Sequence, residues 1–339
     1  MKYSIVIPTY NRCDELRETL ASLAAIRTAD PWEVVVVDNN CADDTPGVVR
    51  EAARSFPVPL TCVFEKVAGR CAAMNAGIAR ARGGIVVTID DDVRVEPDYL
   101  DQVGRSFETL GCDYIGGRVL PLWRGERPSW LPDRRTRHWA VIALLDQGSE
   151  PFEWTATLPL GANMAFTRHA FDAAGPWNND VGRKAGTLLG QEVREWCIRA
   201  RDRGLRGFYA PATVVRHVIH ADRLNKQYFR RWFYWRGISR AVMYQQHGLD
   251  MENPQAPRRD FATARHVAGV PQYLYRTALR TFGRLLRDRL RGHGTAAFEH
   301  ELLLCMFAGI ARQRWRDRRR PFEWAPAQTA PPAPHPSTT

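Results

Sequence analysis

The sequence has no run of about 18 consecutive apolar residues, so no segment reads as a membrane-spanning helix. Its best apolar stretch, Leu302–Ile310, is far shorter and reads as a core helix. The first residues, MKYSIVIPTYNR, carry too brief an apolar run for a secretory signal and no small-residue cleavage site. The 7 cysteines, at 13, 41, 62, 71, 112, 197 and 305, are odd in number, scattered, and never form a CxxC pair. That argues against a disulfide framework or a zinc site and fits a reducing compartment. No GxxxxGK[ST] occurs, and no GxGxxG follows the first strand-like run, so a P-loop enzyme and a dinucleotide oxidoreductase are poor readings. No helix-turn-helix, zinc-finger or RNA-binding signature accompanies the charge, so nucleic acid is not the expected partner. The expected location is the cytoplasm, or peripherally the inner face of the plasma membrane.

What is present is ample for a globular protein. The chain has 339 residues, 45% of them apolar and 11 of them Trp, enough for one large or two smaller cores. The net charge of +11 is unevenly placed. Between Arg194 and Arg320 there are 27 Lys and Arg against 10 Asp and Glu, a balance of +17 that leaves −6 elsewhere. A basic rear half is either a solvated arginine-rich helical surface or a surface for anionic lipid headgroups or an acidic polymer.

Along the first 110 residues strands and helices alternate. Strands are expected at residues 3–8, at WEVVVVD (32–38), at 60–65 and at IVVTI (85–89); helices at 13–26, 45–55, 71–81 and 97–110. This predicts an α/β domain: a Rossmann-like, mostly parallel sheet flanked by helices on both faces. Ligands bind such sheets beyond the carboxyl ends of the strands. Here those ends carry Thr9-Tyr10-Asn11-Arg12, Asp38-Asn39-Asn40 and Asp90-Asp91-Asp92. Further on, IGGRVLPLW (115–123) and FYAPATVVRHVIH (208–220) are strand candidates, LPLGANMAF (158–166) reads as a strand or a tight loop against the sheet, and 123–139 is expected to be a loop. Residues 190–203 are helical. Residues 222–248 and about 262–316 read as arginine-rich amphipathic helices, broken at Pro254 and Pro257. The Pro/Ala-rich segment 321–339 is expected to be disordered.

The three consecutive aspartates bear most on function. Two unit charges ~4 Å apart repel by ~4 kcal/mol at an effective dielectric of 20. A divalent cation is the simplest offset, and carboxylate oxygens suit Mg²⁺ or Mn²⁺, which share their other positions with phosphates. On an extended chain Asp90 and Asp92 point to one side and Asp91 to the other. His217, at the end of an apolar strand, is a candidate further ligand, with His220 the weaker choice.

SIVIPTYNR (4–12), VVVVDNN (34–40), GRCAAMNAGIARARGG (69–84) and TIDDDVRVEP (88–97) occur in this order, followed by LPLGANMAFTRHAF (158–171), LLGQEVREWCIRAR (188–201) and VVRH (214–217). Together they resemble the family 2 glycosyltransferases. The resemblance implies a GT-A fold over residues 1–220 that binds nucleotide-sugar and acceptor, a basic helical region over 221–320, and inverting transfer to an acceptor hydroxyl. It implies that Pro8, Thr9, Tyr10, Arg12, Asp38, Asn39, Arg70, Asp90 and Asp91 bind a nucleotide-diphosphate sugar, with UDP favoured. Asp90, Asp92 and His217 would hold Mn²⁺ or Mg²⁺, Asp92 most directly. Gly161, Ala162 and Asn163 would shape the sugar and acceptor pocket. The acceptor would be a glycan, a lipid-linked sugar or a small molecule, with an anionic membrane surface as a further partner.

Two positions depart from the family pattern. Asn39 stands where an aspartate that contacts the base is usual; an amide both donates and accepts. Val193 stands where the catalytic aspartate is expected, so Glu192, or Glu195 on the same helix face, is left as the general base. The QYFRRWFYWRG segment (227–237) is similar to, but does not match, the QxxRW element of processive relatives. The rival readings are a nucleotidyltransferase, which would release pyrophosphate, and a degenerate scaffold that binds without turnover.

Overall fold

The computed structural model describes residues 1–131, 138–155, 157–248, 251 and 265–320. The chain divides into two compact units at Trp232/Phe233. The interrupting prolines at 254 and 257 and the segment 321–339 lie outside the described residues.

In the first unit, β1 (Tyr3–Thr9), β2 (Trp32–Asp38), β3 (Leu60–Phe64) and β4 (Ile85–Ile89) alternate with α1 (Cys13–Ala24), α2 (Thr45–Ala53) and α3 (Arg70–Arg80). There follow β5 (Val93–Val95), α4 (Tyr99–Leu110), β6 (Tyr114–Trp123), β7 (Phe152–Glu153), β8 (Asn163–Thr167), α5 (Arg168–Ala174), α6 (Glu192–Asp202) and β9 (Gly207–Ile219). Every residue of β2 is buried, as a continuous Val run in a central parallel strand requires.

The sheet order is β3-β2-β1-β4-β8-β6-β9-β5, with β7 on β9. Pairing is parallel across β3, β2, β1 and β4, and β8 then enters antiparallel to β4. The sheet is therefore mixed, and its parallel half is the one the alternation predicts. Because β1 lies between β2 and β4, the direction of winding reverses beside β1. That switch point brings Thr9, Asp38 and Asp90 to one sheet edge. The segment 158–166, read as a strand or a tight loop, is both: β8 begins at Asn163 and the residues before it lie outside any strand.

One aromatic cluster stiffens the far side of the sheet. Trp196 of α6 packs on Tyr114, Phe166 and Trp177 with ring centroids 5.4, 5.4 and 5.6 Å away. Its indole N–H donates to the Gly175 carbonyl at 3.1 Å. A large buried ring so held fixes the first turn of α6, where Glu192 sits.

α7 (Lys226–His247) runs across the division into the second unit. That unit adds β10 (His266–Val267), β11 (Val270–Pro271), α8 (Gln272–Leu290) and α9 (Gly294–Arg316). The single helical stretch expected from about 262 to 316 is two helices. Gly292, at φ 72°, adopts the left-handed backbone that ends the first. α7 and α9 cross closely at Gly309, where an added Cβ would lie 2.0 Å from the Tyr234 carbonyl oxygen.

Candidate active site

The chain after β4 turns at once: residues 91–92 form a turn rather than extended backbone. The side-to-side alternation expected of the aspartates therefore does not hold. Asp91 and Asp92 share one guanidinium, with Arg12 Nη1 3.2 Å from Asp91 Oδ1 and 2.5 Å from Asp92 Oδ2. Asp90 turns to Arg70, 2.8 Å from Nη2. Arg223 reaches Asp92 Oδ2 at 3.5 Å. The repulsion that pointed to a cation is thus largely offset by three arginines drawn from distant parts of the chain.

The turn is anchored on all sides. Thr9 donates its hydroxyl to Asp91 Oδ2 at 2.8 Å, and Thr19 donates to the Asp91 carbonyl at 2.6 Å. The Val218 N–H donates to the Asp92 carbonyl at 2.9 Å. Burial, together with the charge of Asp92 and against the pull of Arg12, pushes the Asp91 carboxyl above the usual carboxylate range. Burial would also raise Asp92, but His217 and Arg12 overcome it and hold that carboxyl well below the usual range.

β5 pairs with β9 so that Val93 faces His217, which delivers the imidazole to the turn. His217 Nε2 lies 3.2 Å from Asp92 Oδ1. Among the described residues, Asp92 Oδ1 and His217 Nδ1 are buried without a hydrogen-bond partner. No group of three or more His, Cys, Asp or Glu is assembled for a metal among the described residues. Asp92 and His217, one oxygen and one nitrogen donor side by side, do fit a cation that takes its remaining ligands from a substrate. Asp90 is not brought into that pair.

Arg70 begins α3 and joins two parts of the site. Besides Asp90 it reaches Glu192 Oε1 at 3.2 Å from Nη1. Glu192 Oε2 is buried with no hydrogen-bond partner among the described residues. Gly161 lies against the same guanidinium; an added Cβ would sit 2.7 Å from Arg70 Nη2. Glu195, one turn further along α6, is held in a two-pronged pair with Arg199, 2.8 Å at each oxygen.

The other residues proposed from sequence divide between exposed and locked. Tyr10 is half exposed and Pro8 partly buried, both at the end of β1. Asp38 ends β2, where its Oδ1 accepts from the Cys41 N–H at 2.8 Å. Asn39 is buried and fully engaged. Its amide donates to the Glu65 and Val67 carbonyls at 2.9 and 2.8 Å, and its oxygen accepts from the Gly69 N–H at 2.7 Å. It clamps the 65–69 loop that leads into Arg70. Ala162 is buried. Asn163 is also locked, donating to the Arg118 and Thr213 carbonyls and accepting from the Tyr99 hydroxyl at 2.8 Å. His220 pairs instead with Glu15 at 3.2 Å. Asn11 and Asn40, at φ 54° and 62°, hold the left-handed backbone at the strand ends beside the acids. Arg223 and Thr19 escaped the sequence reading. A lone arginine six residues after His217 was the available signal for the first.

A family model described as glycosyl transferase family 2 matches residues 4–172. The chain is 26% identical to the glucosyl-dolichyl phosphate glucuronosyltransferase of Haloferax volcanii, over 76% of this chain and 80% of that one. It is 27% identical to the dodecaprenyl-phosphate galacturonate synthase of Rhizobium johnstonii, over 68% of each. Its fold is similar to that of the mannosyltransferase PcManGT from Pyrobaculum calidifontis, solved in complex with GDP-Man and Mn²⁺. The TM-score is 0.60 at 19% identity, over 93% of this chain and 87% of that one.

Proposed function

The chain belongs to glycosyl transferase family 2 and is a glycosyltransferase, and from that premise we propose that it moves a sugar from a nucleoside-diphosphate donor to a hydroxyl of a polyprenyl-phosphate-linked acceptor, with inversion. The observation that carries this reading is Arg70, which holds Asp90 at 2.8 Å and Glu192 at 3.2 Å. It joins the acidic turn after β4 to the start of α6, so a diphosphate and an acceptor proton would meet within one side chain's reach.

In this reading the acceptor oxygen bonds to the anomeric carbon from the face opposite the departing phosphate. The anomeric C–O bond breaks, and the nucleoside diphosphate leaves with the electron pair. Glu192 Oε2 takes the hydroxyl proton, a role worth about 10²–10⁴ in rate. Arg70 orients Glu192 and adds positive charge beside the leaving diphosphate. Asp92 and His217 would hold a divalent cation, Mn²⁺ or Mg²⁺, which when bound neutralises charge on the diphosphate. Tyr10 and Asp38 are placed at strand ends where they would position the nucleoside. The lipid-linked acceptor follows from the relatives, whose names both carry a polyprenyl phosphate.

The test is release of nucleoside diphosphate and glycosylated lipid from a panel of UDP- and GDP-sugars. Glu192→Gln should lower kcat by about 10²–10⁴ while donor binding, followed by thermal shift, is kept. An undiminished rate would remove Glu192 as the base and point to a phosphate oxygen as nucleophile, which needs none. Pyrophosphate among the products would instead favour nucleotidyl transfer.

A further inference from the structure

The second unit carries a helix with two apolar rows. α8 buries Leu274, Thr281 and Leu285. It also leaves Leu279 72%, Phe282 50%, Leu286 45% and Leu290 89% exposed. At about 100° per residue the exposed four fall within an arc of about 80°, centred about 125° from the buried row. Arg276, Arg287 and Arg280, all exposed, lie within about 80° of one edge of that arc and Arg289 within about 20° of the other, while Arg284 and Arg291 lie further round, toward the opposite side. Asp288, the one acid of the helix, falls on the buried side and lies 3.2 Å from His300. No carboxylate of α8 therefore competes for Arg276, Arg280 and Arg287, and Arg289 meets Glu301 of α9, at 3.5 Å.

We propose that this face of α8 seats in the headgroup region of an anionic lipid bilayer. Leu279, Phe282, Leu286 and Leu290 enter the acyl boundary, and the flanking arginines pair with lipid phosphates. The charge is complementary, because guanidinium forks match phosphate oxygens. The shape is right for lying in the interface: a narrow apolar strip edged by cations on a helix of 19 residues. The helix is not apolar enough to span, and no helix among the described residues is. Each arginine near such a surface strengthens binding by about fivefold. The inference does not depend on the sugar-transfer reading, since it is measured without donor or acceptor.

The experiment is flotation of the full chain with vesicles of equal parts phosphatidylglycerol and phosphatidylcholine, against vesicles of phosphatidylcholine alone. The chain should float with the anionic vesicles only. Two variants are compared, L279Q/F282Q/L286Q/L290Q and R276Q/R280Q/R287Q; all seven side chains are exposed, and thermal melting verifies that each variant folds. Each should lose at least about tenfold in vesicle affinity. Failure of the parent to float overturns the proposal, as does unchanged binding of the apolar variant. So does a parent dimer in sedimentation that the apolar variant dissolves, because the strip would then belong to a second copy.

Discussion

Arginine does opposite things in the two units. At the end of β4, Arg12 and Arg223 are drawn inward onto the almost wholly buried Asp92, and Arg70 onto the part-buried Asp90 and the buried Glu192. On α8, Arg276, Arg280, Arg284 and Arg287 stand in water beside exposed leucines, and Arg289 meets one acid, Glu301, at 3.5 Å. The difference teaches that the local sequence around an arginine does not set its role. Sheet topology does: a strand end at the switch point offers several buried acids, whereas the one acid of α8, Asp288, is turned away to His300.

The sharpest way to break that contrast is to remove one arginine from each region. Arg70→Met leaves Asp90 and Glu192 without their shared cation. Breaking a buried pair in this way typically costs about 3–5 kcal/mol, and the lower half of that range is expected here because Asp90 keeps 27% of its side chain in water. Arg284→Met, on the exposed flank of α8, should change stability by less than about 0.5 kcal/mol. Urea unfolding of both variants measures the pair. Equal losses would mean that burial does not separate the two kinds of arginine.

The same contrast explains what the sequence disclosed. The Val-rich runs, the helices between them and the polar strand ends were legible because each is encoded within about ten neighbouring residues. The resemblance also put His217 beside Asp92, which it meets at 3.2 Å, but grouped Asp90 with them, which turns to Arg70 instead. The offset of the acids was not legible. Arg12 and Asp92 are 80 residues apart, and Arg70 and Glu192 are 122 apart; nothing local joins them. The alternation of Asp90 and Asp92 failed for a related reason. It assumed extended backbone, and the contacts made by Thr9, Thr19 and Val218 close a turn instead.

Asn39 sharpens the comparison at the next size of effect. Departure from the usual aspartate suggested a changed contact to the base, yet the structure uses both amide donors and the amide oxygen to clamp residues 65–69. Asn39→Ala would leave two carbonyls and one N–H without that partner. A loss of about 1–3 kcal/mol in urea is expected, together with a weakened donor KM because Arg70 follows the clamped loop. Asn39→Asp keeps the acceptor but loses the amide donors. If Asn39→Asp restored both stability and KM, the residue would be reading the base rather than holding the loop.

The smallest effect tests a case between the two regions, a buried acid with an exposed arginine. Glu33 is 3% exposed at the opposite end of β2. It accepts from the Ser4 hydroxyl at 2.8 Å, from the Arg82 N–H at 2.7 Å and from the Arg82 guanidinium at 2.8 Å. Burial alone would raise its carboxyl, but the bonds from Arg82 and Ser4 prevail and hold it below its ordinary 4.5. A carboxyl depressed on folding adds stability that is complete above the unfolded value and is lost as pH falls through the folded one. Glu33→Gln should therefore lower Tm by about 2–4 °C at pH 7. The gap should close as pH drops below 4.5 and the wild-type carboxylate takes up its proton. A gap that stayed constant down to the acid limit would assign the effect to packing and hydrogen-bond geometry rather than to the carboxylate's charge.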